Sequence, residues 1–301
     1  MQHFVAVAEE LHFGRAAKRL NMAQPPLSQS IQRLEANLGL QLMERSRSGV
    51  ELTAAGRVYL REARQALLHA DLARKLAQRE ASKSQEVKVS FIGPALYRLL
   101  PRLLVAFTQA NREVDVRLIE EPSPAQVEAV LRGDTDIGFI TAGQDEIAGC
   151  DSLIVERSTL VAVVPAAWDL AQKPTVSLAE LAEHPFILPP PQKYAAEPTH
   201  LLKLFGNSGT IPHVIQESTH ANTTLGLVGA GLGFSVITGT ASLNAPQNVR
   251  FLPISDLDPV PQWGLMMIWR SDHLTRTTSA FVQAVRAFVD EHPELMRFGI
   301  A

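Results

Sequence analysis

One cysteine, Cys150, stands among 301 residues, which excludes an internal disulfide and any metal cage built on thiolates. It reads as a small buried hydrophobe. Long apolar runs are also missing: the longest uncharged stretch, near residues 225–243, carries five glycines together with Ser and Thr and makes a poor bilayer span. The opening residues reach Glu9 and Glu10 without a signal-type apolar segment, so the expected location is the cytoplasm, away from any membrane. Internal repeats and low-complexity tracts do not occur.

Reaction chemistry leaves few traces. His184, His200, His213 and His220 fall on separate elements without metal-ligand spacing, and no Ser-His-Asp or nucleophile-elbow pattern is found. Gly229, Gly231 and Gly233 precede a strand instead of following one, the reverse of a dinucleotide fingerprint. The expectation is a protein that is not an enzyme and uses no cofactor and no metal.

What is present suits a globular chain of two or three domains: 46% of residues are apolar and 20% charged, which excludes a disordered or collagenous protein. The charge is divided. Residues 1–80 hold 12 Lys/Arg against 8 Asp/Glu, a net of +4, and the remainder carries −7. A basic head on an acidic body suggests a polyanion partner for the head.

Within that head, Phe4, Val5, Val7, Ala8 and Leu11 form one apolar face, and Ala16, Ala17 and Leu20 a second. Leu27, Ile31, Leu34 and Leu38 then recur at helical spacing. A short break after the second helix predicts a helix-turn-helix, with Pro25 and Pro26 tolerated in the first turn of the third helix. Alternating runs over 40–45 and 50–53 around a polar tip predict a small hairpin, a wing. With the apolar positions inward, Gln24, Ser28, Gln29, Gln32 and Arg33 face outward. Gln pairs with adenine, Arg with guanine or phosphate, and Ser with either kind of oxygen, so this face suits base edges. Arg45 and Arg47, at the wing, suit phosphate or the minor groove, although each taken singly reads as a surface arginine.

From Thr53 to about Glu80 the composition predicts one helix of about 28 residues. Tyr59, Ala63, Ala66, Ala70, Ala73 and Ala77 are spaced 4, 3, 4, 3, 4, a heptad seam of small residues that lets two helices approach closely. Dimerisation is one reading of this seam; packing on the chain's own body is the other. The polar break at 81–85 is the expected domain boundary. Beyond it strands and helices alternate, with strands expected at 87–92, 114–120, 136–140, 160–164, 185–188, 213–216, 232–237, 249–252 and 265–269. Intervening helices and a closing helix over 281–289 complete an α/β pattern, read as a parallel sheet with crossovers. Two lobes with a cleft follow. Ligands in such sheets sit beyond strand ends, which points to Gly93, Pro94, Ala95, Ser123, Asn222 and Thr223, with Thr141 and Pro190 as further wall residues. Ser123, Asn222 and Thr223 read equally well as helix N-caps.

At this point the residues resemble a family. The stretch from His3 to Ala17, the run Gln24-Pro25-Pro26-Leu27-Ser28, and Leu52-Thr53-Ala54-Ala55-Gly56 resemble the amino-terminal signature of LysR-type transcriptional regulators. The likeness continues through Gly133-Asp134-Thr135-Asp136-Ile137-Gly138-Phe139 and Gly229-Ala230-Gly231-Leu232-Gly233. It implies an all-α winged helix-turn-helix at 1–56 and a long linker, dimerisation and hinge segment at 57–85. A two-lobed α/β effector domain of periplasmic-binding-protein type follows at 86–301, with lobe I at 86–157 and 263–301 and lobe II at 158–262. It also implies double-stranded DNA with an interrupted palindrome, a small-molecule effector that is often a carboxylate, self-association as homodimer or homotetramer, and contact with RNA polymerase. The competing class is a cytoplasmic solute-binding or sensor module without sequence-specific DNA binding.

Overall fold

The computed structural model describes residues 1–46, 49–82, 85–142, 147–188, 197–218, 220–257, 262–272 and 274–297. The chain divides into two compact units, residues 1–84 and 85–301.

The first unit opens with α1 (Gln2–Glu10), α2 (Phe13–Arg19) and α3 (Gln24–Leu38). The His12 side chain caps α2 by accepting from the Gly14 and Arg15 N–H groups, which satisfies donors that a helix start leaves open. Phe4, Val7, Ala16, Leu27 and Ile31 form the core of this unit. Two residues placed on inward faces by periodicity are instead exposed. Leu11 sits in a left-handed C-cap at φ 47°, and Leu38 ends α3 just before the left-handed Gly39; at helix ends the chain turns away before the stripe reaches the core.

The wing pairs β1 (Met43–Ser46) with β2 (Gly49–Leu52) antiparallel. Its approach is held by Glu35, whose Oε1 accepts from the Leu42 and Met43 N–H groups at 2.7 and 3.0 Å. The long helix α4 (Ala54–Ser82) follows, with the Thr53 hydroxyl accepting from the Gly56 N–H. A Cβ on Gly56 would lie 2.0 Å from the Leu42 carbonyl oxygen, so only glycine allows this approach of helix to wing.

In the second unit come β3 (Glu86–Phe91), α5 (Leu99–Ala110), β4 (Asp115–Glu120), α6 (Ser123–Leu131) and β5 (Ile137–Thr141). They are followed by β6 (Cys150–Pro165), α7 (Leu178–Ala182), β7 (Pro185–Leu188), α8 (Glu197–Asn207), β8 (His213–Glu217), α9 (Ala221–Gly229), β9 (Ser235–Thr238), β10 (Val249–Pro253), β11 (Gln262–Arg270) and α10 (Arg276–Glu291). A seven-stranded sheet runs in the order β10-β6-β11-β5-β3-β4, with β9 also on β6; β7 and β8 form a separate parallel pair.

The sheet corrects the expectation of a parallel array. Only β3 with β4 and β5 is parallel; β11, β6, β9 and β10 pair antiparallel. The cause is β6. Its first part pairs with β11 and its second part, from Leu160, with β9 and β10, so one strand serves both lobes. It begins ten residues before the strand expected at 160, because its polar first half hides the alternation. A bulge adds to this: Leu265 faces Glu156 and Met266 faces Ile154, leaving Val155 as the extra residue. Each lobe has its own core, one around Val89, Phe107, Met267 and Phe281, the other around Phe186, Phe205 and Phe234. No helix of the described residues is long and apolar enough to cross a membrane.

Candidate DNA-reading helix and effector cleft

The third helix is anchored from beneath. Leu27 and Ile31 are buried, and the Ser30 hydroxyl lies 2.8 Å from His3 Nδ1 on α1. Pro25 and Pro26 lie in the first turn, where their fixed φ suits a helix start. Gln24, Pro25, Gln29, Gln32 and Arg33 are exposed, and Ser28 is half-buried. This leaves amide and guanidinium groups on the free side of a helix whose other side is fixed. Arg45 sits in β1 opposite Val50; Arg47 lies outside the described residues.

Along α4 the alanine seam divides. The Tyr59 ring meets Phe4 edge-on at 5.1 Å and Ala63 is buried, so these two positions belong to packing within their own chain and correct the reading of a free seam. Nearby, Arg64 reaches Glu9 on α1 at 2.8 Å. Ala66, Ala70, Ala73 and Ala77 are exposed.

In the second unit a cavity of about 140 Å³ lies between the lobes. Of the residues expected there, Gly93, Pro94, Ser123, Thr141 and Asn222 line it. Ala95 does not: it is wholly buried in the turn after β3, and Thr223 is replaced on the wall by Thr224, one position further round α9. Pro190 lies outside the described residues. The capping expectation also changes. Pro122 and His220 hold the N-cap positions of α6 and α9, so Ser123 and Asn222 are freed for other bonds. The Ser123 hydroxyl accepts from the Thr141 N–H at 3.2 Å, tying α6 to the end of β5, and Asn222 Oδ1 accepts from the Tyr97 hydroxyl.

Among the wall residues that escaped the sequence reading, three carry ionisable groups: Tyr97, Glu120 and Glu156. Glu120 ends β4 and could have been found as the neighbour of the strand exit at Glu121. Glu156 had no such signal, since its strand shows no periodicity. Burial pushes its carboxyl up to about 7, against the lowering pull of Arg98. Cys150 is half-buried, and burial pushes its thiol up to about 11, which leaves it protonated and unreactive at neutral pH.

Two family models cover the chain: "Bacterial regulatory helix-turn-helix protein, lysR family" over residues 1–57 and "LysR substrate binding domain" over residues 80–290. The transcriptional regulator AlsR of Bacillus subtilis strain 168 is 32% identical over 91% of this chain and 90% of its own. Full-length CbnR in complex with its target DNA is 28% identical, covers 95% of this chain and 97% of its own, and superposes with a TM-score of 0.59. The effector-binding domain of BenM, in a structure with its effector benzoate, is 22% identical over 71% of this chain and 98% of its own at a TM-score of 0.58, a likeness of fold. A winged helix-turn-helix, a long helix and a two-lobed cleft thus stand in one chain whose length these matches span, and the protein belongs to the LysR family of transcriptional regulators.

Proposed function

We propose that this regulator binds an interrupted palindrome through α3, with Gln24, Ser28, Gln29, Gln32 and Arg33 reading the major groove and Arg45 and Arg47 of the wing contacting the backbone. The observation that carries it is the exposed amide and guanidinium face of α3 opposite buried Leu27 and Ile31. That CbnR has been seen on its target DNA supports the same use here.

Two readers are needed for a palindrome. The exposed alanines Ala66, Ala70, Ala73 and Ala77 on α4 supply a surface for a second copy, giving a homodimer or homotetramer. A small-molecule effector occupies the cavity near Gly93, Pro94, Ser123, Thr141 and Asn222. An effector that favours one closure of the lobes shifts the spacing of paired winged domains by linkage, and RNA polymerase reads the change. Such a protein works in the cytoplasm, beside the chromosome.

Footprinting on the DNA upstream of its own gene and of the divergent neighbour tests the reading. A protected interrupted palindrome, lost as salt rises, is expected. Absence of retention at low salt would overturn it and leave a solute-binding module.

A further inference from the structure

The cavity wall has an unusual charge balance. Glu120, Glu121 and Glu156 line it, while no Lys or Arg does among the described residues. Neither Glu120 nor Glu121 makes an ion pair among the described residues. Glu156 is the sharper case. It is 1% exposed, and its Oε2 finds no hydrogen-bond partner in the protein among the described residues.

An unpartnered carboxylate oxygen inside a protein is costly, and one that persists calls for an occupant that donates to it. The β6 bulge at Val155 directly precedes Glu156, and bulges re-aim the side chains beside them. Arg98 is the cation whose field reaches Glu156, yet burial outweighs it. The Arg98 guanidinium donates from Nη2 to the Glu294 carbonyl at 2.7 Å, and its buried Nη1 makes no hydrogen bond to Glu156. A ligand whose only charge is negative would meet like charge at Glu120 and Glu121, and at Glu156 wherever that carboxyl is ionised. A ligand bearing a protonated amine would supply the missing donor and neutralise one of them.

We propose that the effector carries a protonated amine set against the Glu156 carboxylate, and that the cleft selects such molecules over those whose only charge is a carboxylate. This rests on the cleft being the effector site. It narrows the broad class of small carboxylates to those that also bear an amine, or to amines alone. The polar remainder of the wall, including the Ser123 and Thr224 hydroxyls, orients the rest of the molecule, while Leu160, Val236 and Trp263 cover its apolar body.

The cavity is close in size to one that holds a benzene ring, so benzylamine, phenylglycine and benzoate are suitable probes of one body with different charges. Calorimetric titration of the full-length protein, at a pH where Glu156 is ionised, should rank at least one amine probe about tenfold or more above benzoate. Preference for phenylglycine would assign a zwitterion, and preference for benzylamine a free amine. Glu156→Gln should weaken the preferred amine about tenfold without weakening benzoate. Benzoate binding as tightly as both amines, no amine binding at millimolar concentration, or unchanged amine affinity in Glu156→Gln would each overturn the proposal. The ranking on the unaltered protein is independent of the variant's folding. Footprints with and without the bound amine separate the two readings: an amine held in the cleft that leaves DNA protection unchanged sustains the ligand assignment and removes the effector role.

Discussion

The Tyr97 hydroxyl donates a 3.0 Å hydrogen bond to Asn222 Oδ1 across the cleft. Tyr97 follows β3 in one lobe and Asn222 lies in the first turn of α9 in the other, so this bond spans the mouth of the cavity between 125 positions of chain. Burial, helped by the nearby Glu120, pushes the phenol up, so it remains a donor at neutral pH.

Tyr97→Phe removes this link and keeps the ring. A neutral hydrogen bond contributes about 0.5 to 1.5 kcal/mol, so the effector domain should melt slightly earlier, and the apparent effector affinity should fall by up to about tenfold where closure on the effector strengthens this link. Effector titration of the DNA footprint measures this. Unaltered affinity would confine the bond to the resting surface.

Gln29→Ala should loosen operator preference and leave the fold intact, because Gln29 is exposed on a helix held by Leu27 and Ile31. A bidentate contact to a base discriminates by about 1 to 3 kcal/mol. Mobility shift against operators altered one base pair at a time reads the loss, and identical specificity would remove Gln29 from base reading.

Gly56→Ala forces a methyl group to within 2.0 Å of the Leu42 carbonyl oxygen unless the backbone shifts. Overpacking of this kind costs about 1 to 3 kcal/mol. The N-terminal unit should melt earlier and the wing should lose its place, with weaker DNA binding as the readout. A variant that melts and binds like the parent would show that α4 and the wing can slide apart at no cost.

Ala70→Glu places a carboxylate in the middle of the exposed alanine row of α4. In a close helix pair it would be buried against its own symmetry mate, so the assembly should dissociate. Light scattering distinguishes the outcomes, and an assembly of unchanged mass would move self-association to another surface.

Glu156 makes stability depend on pH. Its carboxyl is raised from the ordinary 4.5 to about 7 in the folded protein, so the folded state holds the proton more tightly than the unfolded chain. The penalty is absent below the unfolded value, grows as pH rises through the folded one, and reaches on the order of 3 kcal/mol above it. Glu156→Gln should remove that part of the pH dependence and raise the melting temperature of the effector domain on the alkaline side. Equal slopes for both proteins between about pH 5 and pH 8 would show that Glu156 stays ionised.

Much of the N-terminal unit was legible because its information is local. Apolar residues at helical spacing, prolines at a helix start and a glycine at its end act within one or two turns of chain, so α3 and its outward face could be read directly. Ends were less legible: Leu11 and Leu38 match the stripe by number and still emerge into solvent, since a stripe says nothing about where the core stops.

The cleft shows the opposite balance. Gly93, Pro94, Ser123, Thr141 and Asn222 were found by a rule about strand ends, which follows from chain order alone. Glu156 and Tyr97 were not. The pairing of β6 with β11 through its first part and with β9 and β10 through its second part joins segments about a hundred residues apart, and the bulge at Val155 erases the alternation that would have marked the strand. Local chemistry therefore decided which helices form and which polar face α3 presents. Only long-range pairing decided that a glutamate in a polar stretch would be buried beside the cleft, because burial is a property of what packs around a residue and is written nowhere in its neighbours along the chain.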